Sequence, residues 1–254
     1  MKRLARSDKD ADVKAKIRKI FDDSRGTYGV RRVHAELRNQ GEKVSRKKVQ
    51  RLMRALGLMG AQKKAKYHSY KGTVGKVADN LIDRDFKADR PLQKCTTDVS
   101  QFNCDGFKAY LSPILDMWNG EIIGWDLALH PDFAQTERML ESAFKGKENL
   151  GGLILHSDQG WQYQMARYQE ALASKGIIQS MSRKGNCLDN CIMEGFFGLM
   201  KNEMFYGHES EFDTFDKLYA AVAAYIDFYN NRRIKEKTNW MPPVKYREAF
   251  TASA

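Results

Sequence analysis

The stretch KCTTDVSQFNCDGFKAYLSPILDMWNGEIIGWDLAL, residues 94–129, decides the fold. It reads as three strand-like runs, near 94–102, 107–117 and 121–129, split at Asp105-Gly106 and Asn119-Gly120. Asp-Gly and Asn-Gly pairs between apolar runs are strong hairpin signals, because both supply the positive backbone angles of tight turns. Three consecutive antiparallel strands are therefore expected. Asp98 falls inside the first run, between residues expected to be buried, Val99 and Phe102 among them. A carboxylate among buried residues is costly unless it is paired or bound to a metal.

Beyond this stretch the pattern alternates. A helix is predicted near Phe133–Lys147. LILH then gives a short apolar strand that closes at Asp158. An amphipathic segment at 163–174, a strand around Ile177–Met181 and a helix from Leu188 to about Phe205 follow. A final helix is predicted over Phe212–Asn230. This order predicts an α/β, ribonuclease-H-like core: a mixed five-stranded sheet with helices on both faces.

Fifty-nine residues separate Asp98 from Asp158, and thirty-five separate Asp158 from Glu194 on the following helix. Carboxylates at the ends of adjacent strands stand where an α/β site is expected. Two strand-end carboxylates and one helix carboxylate can converge on a pair of divalent cations, the equipment for attacking a phosphodiester. Hard oxygen ligands without His or Cys partners point to two Mg²⁺ ions, for which Mn²⁺ substitutes. Asp98 would bridge the ions, and Asp158 and Glu194 would each complete one. There is no GxSxG elbow and no Walker loop.

On the third carboxylate's helix, Leu188, Ile192, Phe196 and Leu199 form the expected apolar stripe, with Glu194 off it. Asn190, Phe197 and Lys201 share the Glu194 side. Lys201, two turns on, suits a substrate phosphate, or is an ordinary surface lysine. Asp189 and Asn190 read as caps of the helix start. Alternation places His156 on the face of Asp158, either orienting a substrate group or packing. Gln159 and Gly160 would shape the loop beside the metal. Trp161 and Tyr163 either stack on a splayed base or are buried. Tyr229, Asn230, Asn231, Arg232 and Arg233 form a polar, aromatic cluster that either contacts DNA or packs the tail.

The net charge of +11 is concentrated at one end. Residues 1–70 hold 21 Lys and Arg against 7 Asp and Glu; the remainder holds 22 against 25. That concentration marks a polyanion-binding region. Helices are predicted at about 8–23, 30–39 and 46–56, the last with Ser45 as N-cap. The third carries Val49, Leu52 and Leu56 inward, and Arg46, Lys47, Lys48, Gln50, Arg51 and Arg54 on its other faces. This is a helix-turn-helix pattern for double-stranded DNA, the Arg and Lys mostly on phosphates.

The expected partition is a helical DNA-binding domain at 1–58, a basic linker at 59–90, the core at 91–206, and a C-terminal helix and tail at 207–254. In the linker, Lys63, Lys64, Lys66 and Tyr67 either track a DNA backbone or belong to a plain tether. Cys95, Cys104, Cys187 and Cys191 form no CxxC pair and read as reduced packing cysteines, although Cys187 and Cys191 could share a helix face. No stretch approaches the roughly 20 apolar residues of a membrane span, so a cytoplasmic protein is expected.

HSDQGWQY and GNCLDNCIMEGFFGLMK closely resemble the catalytic core of bacterial insertion-sequence transposases of the IS-three family, whose cores resemble retroviral integrases. YGVRRVHAEL, TTDVSQF, AYLSPILDMWNGEIIGWDL and YIDFYNNRRIKEKTNWMPPVKY resemble that family in the same order, from about Tyr28 to about Phe250. The resemblance implies cutting at element ends, joining of 3′ ends to target DNA, a multimer on DNA, and a Lys201 that contacts the DNA end. It also implies an upstream reading-frame product or fusion partner. Cys95, Cys191 and Gly195 stand where relatives commonly have Trp, Ala and Ser; none of these removes a ligand. Two other readings remain at this stage: a nuclease of the same fold that does not join, and a DNA-binding regulator with a vestigial core.

Overall fold

Helical periodicity in the first sixty residues becomes α1 (Ala11–Asp23), α2 (Val30–Asn39) and α3 (Arg46–Ala55) in the computed structural model, which describes residues 8–60, 77–147, 150–183 and 187–252. Ile17 and Ile20 of α1, Val33 and Leu37 of α2, and Val49 and Leu52 of α3 are buried at helical spacing. Ser45 caps α3, its hydroxyl accepting the Lys48 N–H at 3.3 Å. The linker residues Lys63, Lys64, Lys66 and Tyr67 lie outside the described residues.

The chain forms two compact units. The three helices make one of them, joined by a distant segment, Arg233–Pro242. This strap is held through its backbone. The Ile234 N–H donates to Tyr28 Oη at 2.9 Å, Arg32 Nε donates to the Ile234 carbonyl at 3.3 Å, and Asn39 Nδ2 donates to the Trp240 carbonyl at 3.1 Å. A Lys235–Met241 bridge closes the strap on itself.

The second unit carries β1 (Lys94–Thr97), β2 (Ser100–Asn103), β3 (Lys108–Asp116), β4 (Ile122–Ala128), α4 (Phe133–Phe144), β5 (Ile154–Ser157), α5 (Ala166–Ala173), β6 (Ile178–Met181), α6 (Cys191–Met200), α7 (Phe215–Asn231) and α8 (Pro243–Ala252). β1 and β2 pair antiparallel with the same edge of β3, and β4 pairs with the other edge. β1 pairs parallel with β5, and β5 parallel with β6. Six strands therefore fill five positions, because the first is broken at Asp98–Val99. The core lies between the sheet and α4 and α5, where Cys95, Ile114, Met139, Leu155, Tyr168 and Leu172 pack. A Cβ on Gly124 would lie 2.4 Å from the Ala143 backbone, so glycine lets α4 settle directly on β4.

Two elements differ from the sequence expectation. The segment from Asp79 to Ile82, read as linker, covers the β6 edge: Leu81 N–H donates to Ser180 Oγ, Met181 N–H donates to the Asp79 carbonyl, and Ile82 is buried. The C-terminal tail contains α8, which the sequence reading missed. Its apolar pattern is weak, and Tyr246 and Phe250 pack by their rings on Trp118 while Arg247 forks onto Glu121. Among the described residues no helix is long and apolar enough to cross a membrane.

Candidate active site

The break between β1 and β2 places Asp98 at the end of a strand whose parallel neighbour, β5, ends one residue before Asp158. Thr96 and His156 are register partners, so the two carboxylates leave the sheet at the same end, two residues farther along each chain. Asp98 is 7% exposed. Its Oδ1 accepts the Val99 N–H at 2.7 Å and its Oδ2 accepts Asn190 Nδ2 at 3.0 Å. Asp158 Oδ1 accepts the Gly160 N–H at 2.8 Å. A Cβ at Gly160 would come within 2.9 Å of that same oxygen, so glycine is what allows the backbone to approach the carboxylate.

Burial pushes the Asp98 carboxyl well above its ordinary pKa; Asp158 adds to the rise, the Val99 hydrogen bond opposes it, and Glu194 pushes more weakly. Burial raises Asp158 as well, against the Gly160 hydrogen bond. Asp98 is buried and Asp158 half-buried, and that burial holds each toward the protonated form. Glu194, half-buried on α6, is raised by its partial burial alone. Among the described residues no three His, Cys, Asp or Glu side chains stand close enough to hold a single metal ion. Of the other two carboxylates, Asp158 acts on Asp98 more strongly than Glu194 does. The donor set is all carboxylate oxygen, which suits a hard divalent cation, and the uncompensated pair is the charge such a cation would neutralise.

The start of α6 differs from the sequence reading. Leu188 is 57% exposed, while the buried positions are Asp189, Asn190, Met193, Phe196, Phe197 and Met200. The apolar stripe was drawn through the wrong face because two polar residues there find partners inside the protein. Neither caps the helix by its side chain as expected. Asn190 donates to Asp98 and accepts from Thr96 Oγ1 at 3.1 Å. Asp189 accepts from Arg183, Arg84 and Asn80. The Arg183 hydrogen bond, above all, holds the Asp189 carboxyl well below the carboxylate range. Past α6, the helix widens into a π turn at Lys201–Phe205. Lys201 Nζ donates to the Gln101 carbonyl at 2.6 Å and lies over the Phe102 ring, 5.0 Å from its centre. Burial lowers its pKa to about 8, while Asp98 pulls it back up.

His156 is fully buried, with Nδ1 on Ser180 Oγ at 2.9 Å, in a row with Thr96 and Ser180 across three strands. Gln159 Nε2 donates to the Ser182 carbonyl at 3.0 Å, tying the loop after β5 to the end of β6. Trp161, three residues past Asp158, is 51% exposed, whereas Tyr163 is buried, its hydroxyl 3.4 Å from Thr97 Oγ1. On α3, Arg46, Lys47, Gln50, Arg51 and Arg54 are exposed. Lys48 and Arg51 both pair with Asp10, at 2.8 and 2.7 Å. Arg232 pairs with Asp227 at 3.1 Å and lies over Phe228. Arg233 is 1% exposed, a packing position rather than one open to a phosphate. Asn230 uses both ends of its carboxamide on the Ile122 backbone, at 3.0 and 2.9 Å, docking α7 on β4. The Cys187 side chain lies outside the described residues, and Cys191 is exposed.

The reading of the sequence missed Thr96. Its signal was present: it stands two residues before Asp98, where strand alternation puts both on one face.

Residues 7–66 match an HTH-like domain family, and residues 88–187 and 194–250 match two integrase core domain families. The chain is 48% identical over 247 residues to InsK of Escherichia coli, named for a transposase of insertion sequence element IS150, covering 97% of this chain and 87% of that one. It is 52% identical over 205 residues to a transposase-like protein of Haemophilus influenzae, covering 81% and 94%. InsF of Escherichia coli, the transposase for insertion sequence IS3A, is 33% identical over 84% of this chain and 73% of its own. Among solved structures, a chain of the simian T-cell lymphotropic virus intasome with a PP2A regulatory subunit has a TM-score of 0.50 at 14% identity, covering 86% of this chain and 70% of that one. The HTLV-2 integrase catalytic core with magnesium, in its trimeric form, has a TM-score of 0.50 at 17% identity, covering 62% and 97%. At these identities the structures show a shared fold and nothing more.

Proposed function

The chain belongs to the insertion-sequence transposases built on an integrase core, and from that membership we propose how its carboxylates cut and join DNA. It is a polynucleotidyl transferase of the kind with three catalytic acids, and Asp98, Asp158 and Glu194 are those acids. They would hold two Mg²⁺ ions, for which Mn²⁺ would substitute. Bound there, the ions supply Lewis acidity that activates water or a DNA 3′-hydroxyl and stabilises the leaving oxygen of an in-line displacement.

The observation that carries this reading is the pair of strand-end carboxylates at one end of two parallel strands, Asp98 buried and Asp158 half-buried, both raised by burial and Asp98 raised further by Asp158. The chain's own residues do the remaining work. Gly160 N–H and Val99 N–H orient the two carboxylates. Lys201, anchored beside Asp98, offers positive charge to a phosphate. Trp161 offers an exposed aromatic face to an unstacked base. The α3 surface of Arg46, Lys47, Gln50 and Arg54, with Lys48 and Arg51 beside it, meets the element's ends, chiefly through phosphates. Joining two ends calls for at least two bound copies, so the working form is a homo-oligomer on DNA, acting in the bacterial cytoplasm.

A strand-joining assay tests the reading. Purified chain, alone and fused to any upstream reading frame, meets labelled duplexes from its gene's own flanks in Mg²⁺. Joined products that vanish with Asp98→Asn are expected. Joining that survives Asp98→Asn removes the carboxylate site, and cleavage without joining makes the protein a nuclease.

A further inference from the structure

A carboxamide at the start of a helix ordinarily caps it, accepting an N–H from the first turn. Asn190 precedes α6 and does not. It is 6% exposed and spends both ends of its side chain elsewhere, Oδ1 on the Thr96 hydroxyl and Nδ2 on Asp98 Oδ2. The two contacts fix each other. With Asp98 ionised, as a bound cation requires, the carboxylate has only acceptors, so it must see the amide nitrogen, and the Thr96 hydroxyl must then donate to the amide oxygen. The helix start cannot drift either, since the next-door Asp189 is clamped by Arg183, Arg84 and Asn80.

We propose that Asn190 is a positioning residue: wedged between Thr96 and Asp98, its carboxamide locks the rotation of the Asp98 carboxylate, so that the lone pairs left over are offered to a cation shared with Asp158. This inference rests on the metal reading of the site. Each carboxylate oxygen has two lone pairs; Asn190 and the Val99 N–H occupy one on each oxygen, leaving the others. Outer hydrogen bonds of this kind orient ligands, and their loss typically costs about 10–100-fold in metal affinity. Asn190 also lies four residues before Glu194, so the same contact sets the height of the helix that brings the third carboxylate.

The test is a titration of the full chain with Mn²⁺ alone, free ion being read by paramagnetic resonance, on wild type, Asp98→Asn, Asn190→Leu and Thr96→Val. Leu matches Asn in shape and lacks the donor; Val matches Thr and lacks the hydroxyl. Thermal unfolding without metal is followed in parallel. Wild type should bind, and Asp98→Asn should lose binding. Asn190→Leu should bind about tenfold more weakly, and Thr96→Val should shift in the same direction by less. A purely structural Asn190 would lower the melting temperature and leave the Mn²⁺ affinity of the folded protein unchanged, and that result overturns the proposal. Should Asn190→Leu fail to fold, wild-type affinity in Thr96→Val overturns it equally. Binding that is absent in wild type, or indifferent to Asp98→Asn, instead sinks the metal reading and this inference with it.

Discussion

Tyr28 Oη accepts the Ile234 backbone N–H at 2.9 Å, joining residues 206 apart in the chain. The helical unit is therefore not the product of its first sixty residues alone; a strap from beyond α7 completes it. Tyr28→Phe leaves a buried N–H without this acceptor, which costs about 1–3 kcal/mol. The expected outcome is earlier melting of the helical unit and weaker binding to element ends, with the carboxylate site's Mn²⁺ affinity unchanged. Thermal unfolding and fluorescence anisotropy on labelled end DNA check both. A wild-type melting curve would mean that the strap is held without Tyr28.

The Asp98–Asp158 pair makes the metal-free fold weaker than it needs to be. A carboxyl whose pKa is raised on folding holds its proton more tightly in the native state than in the unfolded chain. Its contribution is present at acid pH and is lost as pH rises through the folded value. Asp98→Asn cannot ionise, so at neutral pH without metal it should melt higher than wild type. A gain of about 1 kcal/mol corresponds to roughly 2–4 °C in Tm for a domain of this size. The gain should shrink as pH falls into the range where Asp98 is protonated. Added Mg²⁺ should raise the wild-type Tm and leave Asp98→Asn unmoved. Calorimetry at several pH values, with and without the ion, decides it; a variant that melts lower at neutral pH contradicts the repulsion.

How much of this could be read in advance varied with the kind of force involved. The hairpin glycines and the apolar runs marked the five sheet positions, because turn chemistry and strand burial are local. The placement of Asp98 and Asp158 followed from strand ends, also local. What the sequence hid was polar burial. Asn190 and Asp189 look like surface caps until Thr96 and Arg183 are brought to them across the fold, and the apolar stripe of α6 was misdrawn for that reason. α8 was hidden likewise: its rings and Arg247 have partners on Trp118 and Glu121, more than a hundred residues upstream. For the cluster at 229–233 the sequence leaves DNA contact and packing both open; Arg233 is buried, and nothing local distinguishes it from Arg232.

Lys201 should give DNA binding a pH dependence of its own. Burial lowers its pKa to about 8, so it is charged at neutral pH and loses its proton as pH rises toward 9. A charge-assisted contact with a phosphate would be lost over that window. Since about 1.4 kcal/mol is tenfold, the affinity for end DNA should fall by roughly tenfold or less. Lys201→Arg remains charged throughout, so its affinity should be flat over the same range. Anisotropy titrations at constant ionic strength test this; a parallel decline in both proteins would assign the effect to another group.

Gly160 offers the sharpest separation of site geometry from stability. Its N–H holds Asp158 Oδ1 at 2.8 Å, and an added Cβ would meet that oxygen at 2.9 Å and the Gln162 side-chain amide at 2.7 Å. Gln162 is a long, half-buried side chain whose far end can swing away. The Asp158 carboxylate has less freedom, because its side chain is short and it already accepts the Gly160 N–H just past the end of β5. Its φ is −58°, so alanine meets no backbone strain there. Gly160→Ala should therefore fold with a melting temperature close to wild type and still bind end DNA, while Asp158 is turned from its position. Strand joining should drop by about a hundredfold, the cost typical of an ångström-scale misplacement of a reacting group. Wild-type joining by Gly160→Ala would show that the loop after β5 yields before the carboxylate does, and that the Gly160 N–H contributes nothing to holding Asp158.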